Sequence, residues 1–532
     1  MFKKFETSTL VVLFIFAAYC TIITGSYWDE IYEMNIGKDR LKYLFSLGSY
    51  NYFDFHIYTE FYPGFYNTLA VFITKFFPLK FENEIWRLTH LFFCILLIFG
   101  ISKIATNLFN KKVGKIVFIL CFFYPIFFGH MIMNSKDTIV AFAHVWSTYL
   151  FLKYIQEQNI NKKRNRYVIF AGLTVGLGMG VRFPFLVTLL PLFFFIVIEK
   201  FISKKIICEN FSFNKFIFDL LKIFVIAYLI AISFWPQVHA NIFLNPFTLT
   251  LKHLTVEGGG VPWILFNGNI FSTSNLPYTY ITTNLFYKSP EFFLLCYVLS
   301  IILIFSKKEF FLTSFNHFFL KIFLILLILG FPIIYFIFLP YRVYDGLRLF
   351  LFILPYFCII PGIVVYYLME NFKNKFIKFI SFVTFILFIY YSYVFISLTP
   401  YQYTYLNRFA GSFSTAYEKF ENDYFATSSK ELVNNMSSNN NLFNSNKKYK
   451  ISFCGVNHKI VINELNKLKN FEYEIKDLRE NDFDFVIMTN RSQGDGSSNL
   501  SNVKSCFKKF AGEDLINVKR NGLLLSTLRK KL

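Results

Sequence analysis

Residues 8–30, STLVVLFIFAAYCTIITGSYWDE, decide the fold, because an apolar run is followed at once by two acidic residues. The apolar part is long enough to cross about 30 Å of hydrocarbon as a helix. No small-x-small cleavage site precedes Tyr27 and Trp28, so this run is predicted to be a membrane span and not a cleaved signal peptide. Asp29 and Glu30 are therefore expected at the membrane edge.

Apolar runs of this kind recur along the chain as far as residue 396. The predicted spans are 8–26, 86–102, 114–130, 137–155, 167–181, 183–202, 217–235, 291–305, 318–339, 347–368 and 376–396. Only 16% of the residues are charged, whereas soluble domains carry roughly 25%. This composition excludes a water-soluble globular enzyme and a disordered chain. The predicted fold class is a polytopic α-helical membrane protein with about 11 transmembrane helices.

The distribution of basic residues predicts the orientation. With the N-terminus in the cytoplasm, the inside segments carry nearly twice as many Lys and Arg residues as the outside segments before residue 397. The net charge of +21 is therefore explained mostly by cytoplasmic loops that face lipid, and no nucleic-acid partner is predicted. The stretch 62–77 is apolar but short, and we predict an interfacial helix there. If it were a span, the Lys-rich loops would lie outside.

The chain divides into three predicted parts. Beyond the last span, YKISFCG, NHKIVINELNKLK and FDFVIMTN have the pattern of a strand, a helix and a strand, and DLINVKR and LLLSTLRK could close a hairpin. An Asn/Ser-rich linker is expected near 433–446. The parts are a transmembrane module, 1–396, with outside loops 27–85 and 236–290; a connector and linker, 397–446; and a small extracytoplasmic α/β domain, 447–532.

Cysteine and glycine patterns carry less functional information. Only Cys454 and Cys506 share the outside domain, where a disulfide or two free thiols are both open interpretations. No His/Cys pattern has zinc spacing, and the sequence contains no phosphate-binding glycine loop. The glycines of 172–180, GLTVGLGMG, have the spacing of a helix-packing face.

The first candidate for chemistry is the acidic pair Asp29 and Glu30. One interpretation is a solvated pair beside the interfacial aromatic residues. The other is a carboxylate at the bilayer edge that takes a proton from an attacking hydroxyl or amine.

The second candidate is the short outside turn GHMIMNSKD, residues 129–137. Ser135 or Asp137 could cap the following helix and Lys136 could extend to the interface, which would explain each residue singly. Capping does not explain a Lys–Asp pair accompanied by His130 and Asn134.

The third candidate is a set of cations. The large outside loop contains His239, Lys252 and His253, and three arginines in outside turns could bind a phosphate: Arg182, Arg342 and Arg348. Arginine binds phosphate through two parallel hydrogen bonds. Interfacial anchoring with an Arg–Asp pair is the alternative interpretation.

Four segments in this order resemble the GT-C membrane glycosyltransferases, and specifically glycosyltransferase family 39, the protein mannosyltransferases and the aminoarabinose transferases. The acidic pair resembles the family's Asp-Glu motif, and 129–137 resembles G-H-x-x-x-N-P-K-D with Ser135 in place of Pro. DGLRLFLFILP, 345–355, is similar to D-G-x-R-H-x-L-F. Residues 399–431 are similar to H-P-Y-Q-Y-x-Y-x-N-x-x-x-G-G…A-x-x-x-F-E-x-D-Y-W-x-x-S.

The resemblance implies an inverting glycosyltransferase in the bacterial inner membrane. It would move a sugar from a polyprenyl-phosphate donor to a lipid, glycan or protein acceptor on the outer face. The implied catalytic residues are Asp29, Glu30 and Asp137; the donor phosphate would be bound by Lys136, Arg182, Arg342 and Arg348; and His130, Asn134, His239 and His253 are further substrate-binding candidates. No cofactor is predicted, and a divalent metal is left open because GT-C enzymes differ in this respect.

Two other functions are kept as alternatives. A transporter or flippase of a lipid-linked saccharide would place ionisable residues at mid-membrane and show inverted repeats. A non-catalytic assembly factor would function without Asp29.

Overall fold

The computed structural model describes residues 2–50, 59–255, 261–438, 447–468, 471–493 and 502–531. The chain is a helix-rich, multi-pass membrane protein with a sheet near its C-terminus. Part of the predicted linker, 439–446, lies outside the described residues, and 433–438 belong to a helix.

Helices dominate the chain as far as residue 397. The first eleven helices in chain order are α1 Phe2–Ile23, α2 Glu30–Phe45, α3 Phe65–Thr74, α4 Glu82–Leu108, α5 Lys111–Phe122, α6 Pro125–Met131, α7 Ser135–Glu157, α8 Asn161–Val181, α9 Leu190–Ile198, α10 Phe213–Ser233 and α11 Asn245–Thr255. A hairpin of β1 Trp263–Phe266 and β2 Asn269–Ser272 follows. The next helices are α12 Tyr280–Lys288, α13 Glu291–Ser306, α14 Lys308–Ser314, α15 Phe318–Phe338, α16 Leu354–Phe357, α17 Ile359–Glu370 and α18 Lys375–Ser397.

Within the described residues, five helices are long and apolar enough to cross a bilayer. They are Leu79–Leu108, Phe183–Ser203, Phe213–Ser233, Phe318–Phe338 and Lys375–Ser397. Two bent pairs, α5 with α6 at 70° and α12 with α13 at 112°, bring the number to seven if each pair is one span. Three shorter apolar helices, Thr7–Ile23, Phe65–Thr74 and Leu354–Glu370, add further apolar segments. The total of about 11 spans and their orientation stay predictions.

The two bends have the same chemical cause. Pro125 is the first residue of α6 and Pro290 directly precedes α13. Proline has no backbone N–H and its ring clashes with the preceding turn, so it favours a helix start over a helix interior at both places. The predicted span 114–130 is therefore a bent pair of helices, and the predicted span 291–305 continues from α12 around a sharp corner.

The spacing of glycines in α8 allows close helix packing, which confirms the interpretation of 172–180. A Cβ on Gly172 would lie 2.8 Å from the Ile226 side chain, and one on Gly176 would lie 3.0 Å from Ala227. Helix α8 packs against α10 on this face and against α7 on another. Small residues let the backbones approach where lipid supplies no hydrophobic driving force.

Helix α3 lies within the short apolar stretch 62–77. Its 10 residues rise about 15 Å, which is half the thickness of the hydrocarbon core. Its Tyr66 and Ala70 side chains are buried, and the helix packs between α2 and α4. The helix is thus too short to cross a bilayer and instead packs against α2.

A mixed sheet forms after residue 447. The elements of this part are α19 Ser429–Ser438, β3 Tyr449–Cys454, α20 His458–Leu465, β4 Tyr473–Ile475, β5 Phe485–Thr489, β6 Ser492–Gln493, β7 Lys504–Ser505, α21 Cys506–Lys509, β8 Gly512–Arg520 and β9 Leu523–Lys531. The main sheet has the order β4-β3-β5-β9-β8, with β3 parallel to β4 and β5, and β9 antiparallel to β5 and β8.

This sheet contains the predicted strand–helix–strand unit and the predicted closing hairpin. Strand β4 was missed because an edge strand with half-exposed side chains lacks a clear apolar alternation. A disulfide joins Cys454 at the end of β3 to Cys506 at the start of α21, so the bonded form of the two open interpretations is present. The boundaries of the three predicted parts stay predictions.

Candidate active site

Arg348 is the centre of a charged cluster in which one guanidinium binds three carboxylates. Its Nε lies 2.9 Å from Oδ2 of Asp137, its Nη1 lies 3.0 Å from Oδ2 of Asp345, and its Nη2 donates to Asp29. Only 5% of the Arg348 side chain is exposed. A guanidinium presents five N–H donors in a rigid planar fork, whereas the three donors of an ammonium group rotate about a flexible stem. We call these four residues the Arg348 cluster.

Three distant segments bring the carboxylates together. Asp29 directly precedes α2, Asp137 is in the first turn of α7, and Asp345 lies in the turn after α15. Asp29 makes no side-chain cap to α2, so its carboxylate is available to Arg348. The Asp29 side chain is 27% exposed, against 5% for Asp137 and 1% for Asp345. Asp29 is therefore the carboxylate of the cluster that a ligand can reach.

Asp137 is surrounded by donors. Its Oδ1 lies 2.7 Å from Nη2 of Arg182, and its Oδ2 accepts from Arg348 and, at 3.1 Å, from Nδ2 of Asn134. The amide oxygen of Asn134 also caps α7 by accepting from the backbone N–H of Asp137. The cap is thus Asn134, and not Ser135 or Asp137 as the capping interpretation expects. Asp137 serves to hold two arginines in place.

Glu33 belongs to the site, and the sequence reasoning missed it. It lies one turn after Asp29 in α2; its Oε2 accepts from the Tyr27 hydroxyl at 2.6 Å and from the Ser135 hydroxyl, and its Oε1 lies 3.8 Å from Nζ of Lys136. The i, i+4 spacing from Asp29 was the signal that could have found it. Ser135, which stands where the resembled family has proline, supplies a hydroxyl for this contact.

Tyr62 contacts two cations and a histidine. Its ring centroid lies 4.9 Å from Nζ of Lys136 and 5.9 Å from the Arg182 guanidinium carbon, and its hydroxyl lies 3.5 Å from Nε2 of His253. The Lys136 and Arg182 side chains are 18% and 29% exposed. Burial, together with these two cations, lowers the pKa of His253 to about 4, so its imidazole is neutral at pH 7. We call Lys136, Arg182 and Tyr62 the Tyr62 group.

Glu30 does not join the Arg348 cluster. Its two carboxylate oxygens each lie 2.8 Å from a nitrogen of Arg87, and Glu30 is 1% exposed. Consecutive residues of a helix point in different directions, so Asp29 and Glu30 cannot both face one ligand. Glu30 lies instead beside a polar cleft of about 400 Å³ between α2, the start of α4 and α20.

The remaining predicted residues have other partners. His130 is buried; its Nε2 lies 2.7 Å from the Tyr424 hydroxyl, and its Nδ1 contacts Asn134, which itself binds Asp137. His239 contacts the Tyr43 hydroxyl and the backbone of α10. Arg342 donates to the Ser274 hydroxyl on an exposed surface. His130 is therefore one residue removed from the cluster, whereas these contacts of His239 and Arg342 do not include the cluster.

The charges around Asp29 and Glu33 shift their acidities in opposite directions. Burial raises the pKa of Asp29, but the charges of Arg348 and Lys136 outweigh burial and hold it below its usual value. Burial raises the pKa of Glu33, and the charge of Lys136 offsets this only in part. Asp29 is consequently ionised at neutral pH and can accept a proton.

In the part of the chain that the structure describes, no group of three or more His, Cys, Asp or Glu side chains is arranged to hold a metal ion. The three carboxylates of the Arg348 cluster face a guanidinium instead. The absence of a metal requirement stays a prediction.

A family model described as dolichyl-phosphate-mannose-protein mannosyltransferase matches residues 67–234, about a third of the chain. This match confirms the resemblance to GT-C glycosyltransferases. The matched segment contains Asp137, Lys136 and Arg182 and lacks Asp29 and Arg348. None of the curated proteins compared with the sequence matches it.

Solved structures of two proteins are similar to this chain at low sequence identity. ArnT from Cupriavidus metallidurans in the apo state is 9% identical with a TM-score of 0.48, and the alignment covers 98% of each chain. The same protein bound to undecaprenyl phosphate is 10% identical with a TM-score of 0.49 and the same coverage. The oligosaccharyltransferase of Archaeoglobus fulgidus is 14% identical with a TM-score of 0.48; the alignment covers 87% of this chain and 64% of that one.

Proposed function

We propose that the protein is a membrane glycosyltransferase that moves a sugar from a polyprenyl-phosphate donor to a lipid, glycan or protein acceptor. The observation that carries the proposal is the pairing of a reachable, ionised Asp29 with a fixed guanidinium, beside two partly exposed cations. Sugar transfer from a lipid phosphate needs a base for the acceptor and cations for the departing phosphate. The site contains both.

The Tyr62 group is the proposed binding site for the donor phosphate. Lys136 and Arg182 are the partly exposed cations nearest the Arg348 cluster, and each lies over the same aromatic ring. A phosphate between them would exchange water for two charge-assisted partners. The ring of Tyr62 limits how far the two cations can move, which supports a fixed position for the phosphate.

Asp29 is the proposed catalytic base. The acceptor hydroxyl or amine would attack the anomeric carbon, a new glycosidic bond would form, and the bond from that carbon to the phosphate oxygen would break. The acceptor proton passes to Asp29, and the electron pair of the broken bond leaves on the polyprenyl phosphate, whose charge Lys136 and Arg182 neutralise. Attack opposite the leaving group inverts the anomeric centre and requires the two reactants to be held in line.

Arg348 and Asp137 are proposed to fix the position of the base, Asp29, relative to the phosphate-binding cations. Arg348 binds Asp29 and Asp137 at once, and Asp137 binds Arg182. The base and one phosphate-binding cation are therefore joined through two side chains. This connection supports a division of labour in which Asp29 reacts and Asp137 positions.

The proposed location is the outer face of the bacterial inner membrane, with the N-terminus in the cytoplasm and the C-terminal sheet outside. The disulfide between Cys454 and Cys506 supports an oxidising compartment for that sheet. No cofactor is proposed, because Arg348, Lys136 and Arg182 can supply the positive charge that the reaction needs.

The decisive experiment is the analysis of a strain that lacks the protein. We expect a lipid-linked sugar to accumulate and one sugar to disappear from an envelope lipid, glycan or protein, both measured by mass spectrometry. Purified protein should then transfer that sugar in proteoliposomes. Movement of the lipid-linked sugar across the bilayer with no glycosidic product would contradict the proposal and favour a flippase.

Replacing Lys136 with Met should weaken binding of undecaprenyl phosphate about 10- to 100-fold, because one charge-assisted contact is lost. Binding can be measured by the quenching of intrinsic fluorescence in detergent. Lys252, whose ion pair with Glu60 lies on the surface at 3.1 Å, provides the control variant Lys252→Met. Equal affinities for the Lys136 and Lys252 variants would rule out the Tyr62 group as the phosphate site.

A further inference from the structure

The C-terminal sheet region reaches the Arg348 cluster through one side chain. Arg491 directly follows β5, and its Nη2 lies 3.0 Å from Oδ1 of Asp345. Its Nη1 donates to the backbone carbonyl of Tyr424. The Arg491 side chain is 8% exposed, so this ion pair is shielded from solvent.

Asp345 is shared between two arginines. Its Oδ1 accepts from Arg491 and its Oδ2 accepts from Arg348. The charges therefore alternate from Arg491 through Asp345 and Arg348 to Asp29, with every link a direct ion pair. In such a row each charge is stabilised by the opposite charges beside it. Removal of the charge of Arg491 therefore changes the electrostatic environment of Asp29 at the other end.

The same region also holds the residue before Asp29. The Arg491 guanidinium carbon lies 5.0 Å from the ring centroid of Trp28, and Nδ2 of Asn457 donates to the Trp28 carbonyl at 2.8 Å. Stacking on an indole ring is favourable for a guanidinium. Arg348 thus binds the side chain of Asp29, and Arg491 contacts Trp28, the residue directly before it.

The backbone around Arg491 is fixed by its neighbours. Nδ2 of Asn490 donates to the carbonyls of Tyr417 at 3.0 Å and Phe420 at 2.6 Å. The backbone N–H of Ser492 donates to Oε1 of Glu421 at 2.8 Å. These hydrogen bonds fix the backbone of residues 490–492 and with it the position of the Arg491 guanidinium beside Asp345.

We propose that Arg491 is a positioning residue of the active site, which makes the C-terminal sheet region part of the transfer machinery. This inference rests on the proposed function. Without Arg491, the carboxylate of Asp345, which is 1% exposed, keeps Arg348 as a direct ion-pair partner, and the charge of Lys288 also acts on it. Arg348 then moves toward Asp345 and releases Asp29, so the base is held less firmly and becomes easier to protonate.

The test compares Arg491→Ala and Arg491→Lys with Arg520→Ala in the full-length protein. Arg520 is a matched control because it also anchors the C-terminal sheet region, through Glu431 at 2.6 Å and the carbonyl of Thr399 at 2.9 Å. Its ion pair does not include the Arg348 cluster. A purely structural effect of losing an anchor should therefore appear in both alanine variants.

Two readouts separate positioning from folding. The first is the pH at which half of Asp29 reacts with a carbodiimide, which modifies protonated carboxyl groups, followed by peptide mass spectrometry. The groups that face Asp29 are Arg348, Lys136, Asp137 and Glu33, all of which stay unchanged in the variants. The second readout is the acidic limb of the pH–rate profile for sugar transfer.

We expect Arg491→Ala to move the labelling midpoint of Asp29 upward by about half a pH unit to one unit, and to lower transfer about 10- to 100-fold. Arg491→Lys should retain a larger share of the activity because it keeps the charge. Arg520→Ala should lower the melting temperature and leave the midpoint unchanged.

An Arg491→Ala protein with the wild-type labelling midpoint would overturn the inference, whatever its stability or activity. A shifted midpoint in a protein whose wild-type form transfers no sugar would leave Arg491 as the residue that positions Asp29 and would reject the proposed reaction. The two failures are therefore distinguishable.

Discussion

Asp29→Asn should reduce sugar transfer at least about 10³-fold while the protein still inserts and accumulates in the membrane. The amide keeps the shape of the side chain and can still accept a hydrogen bond from Arg348, but it cannot take a proton from the acceptor. General base catalysis typically contributes about 10²–10⁴-fold. The measurement is the initial rate in proteoliposomes that contain the donor from the deletion strain.

The adjacent residue provides the contrast. Glu30→Gln removes the negative charge that pairs with Arg87 at 2.8 Å. Glu30 does not belong to the Arg348 cluster, which binds Asp29 instead. We expect a lower melting temperature, because a buried arginine loses its counter-charge, and a nearly normal rate per folded molecule. Full transfer activity in Asp29→Asn would refute the assignment of the base, and loss of activity in Glu30→Gln alone would move that role to Glu30.

Arg348→Ala should cost about 3–5 kcal/mol of stability and abolish transfer, because Asp29, Asp137 and Asp345 would lose the cation they share. Arg348→Lys keeps one positive charge, but a single ammonium cannot bind three carboxylates in fixed directions. We expect the lysine variant to fold and to transfer about 100-fold more slowly. Melting curves and initial rates measure the two effects.

Arg342 is the natural control, since it lies in the same segment and contacts Ser274 on an exposed surface. Arg342→Ala should change neither the melting temperature nor the rate by much. A normal rate in Arg348→Lys would show that the three-way geometry is not required. A large loss in Arg342→Ala would show that the donor phosphate binds on the outer surface and not at the Tyr62 group.

The sequence predicted those parts of the fold that depend on local patterns. Apolar runs indicated the membrane helices, the glycine spacing of 172–180 indicated close packing, and alternating apolar residues indicated β3, β5 and the hairpin of β8 and β9. The bends at Pro125 and Pro290 were not predicted, because a hydropathy pattern gives the length and apolarity of a segment and not the direction of its helix axis. Strand β4 escaped because its side chains are half-exposed.

The candidate site was predicted unevenly for the same reason. Asp29, Asp137 and Arg348 stood out because Asp29 directly follows an apolar run and the other two lie in short polar turns between apolar runs. Glu33 did not, because its importance comes from Ser135 and Lys136, and Ser135 lies 102 residues away along the chain.

Sequence patterns indicated a multi-pass membrane protein with acidic and basic residues close together at the ends of several apolar runs. Apolar length and charge asymmetry act through transfer free energies, which depend on composition and order alone. The folded structure was needed to show that Glu30 pairs with Arg87 and that the Arg348 guanidinium binds three carboxylates. It was also needed to show that Arg491 pairs with Asp345, which lies 146 residues away along the chain. Ion pairs depend on distances of a few ångströms, and no pattern along the chain encodes which distant residues will meet.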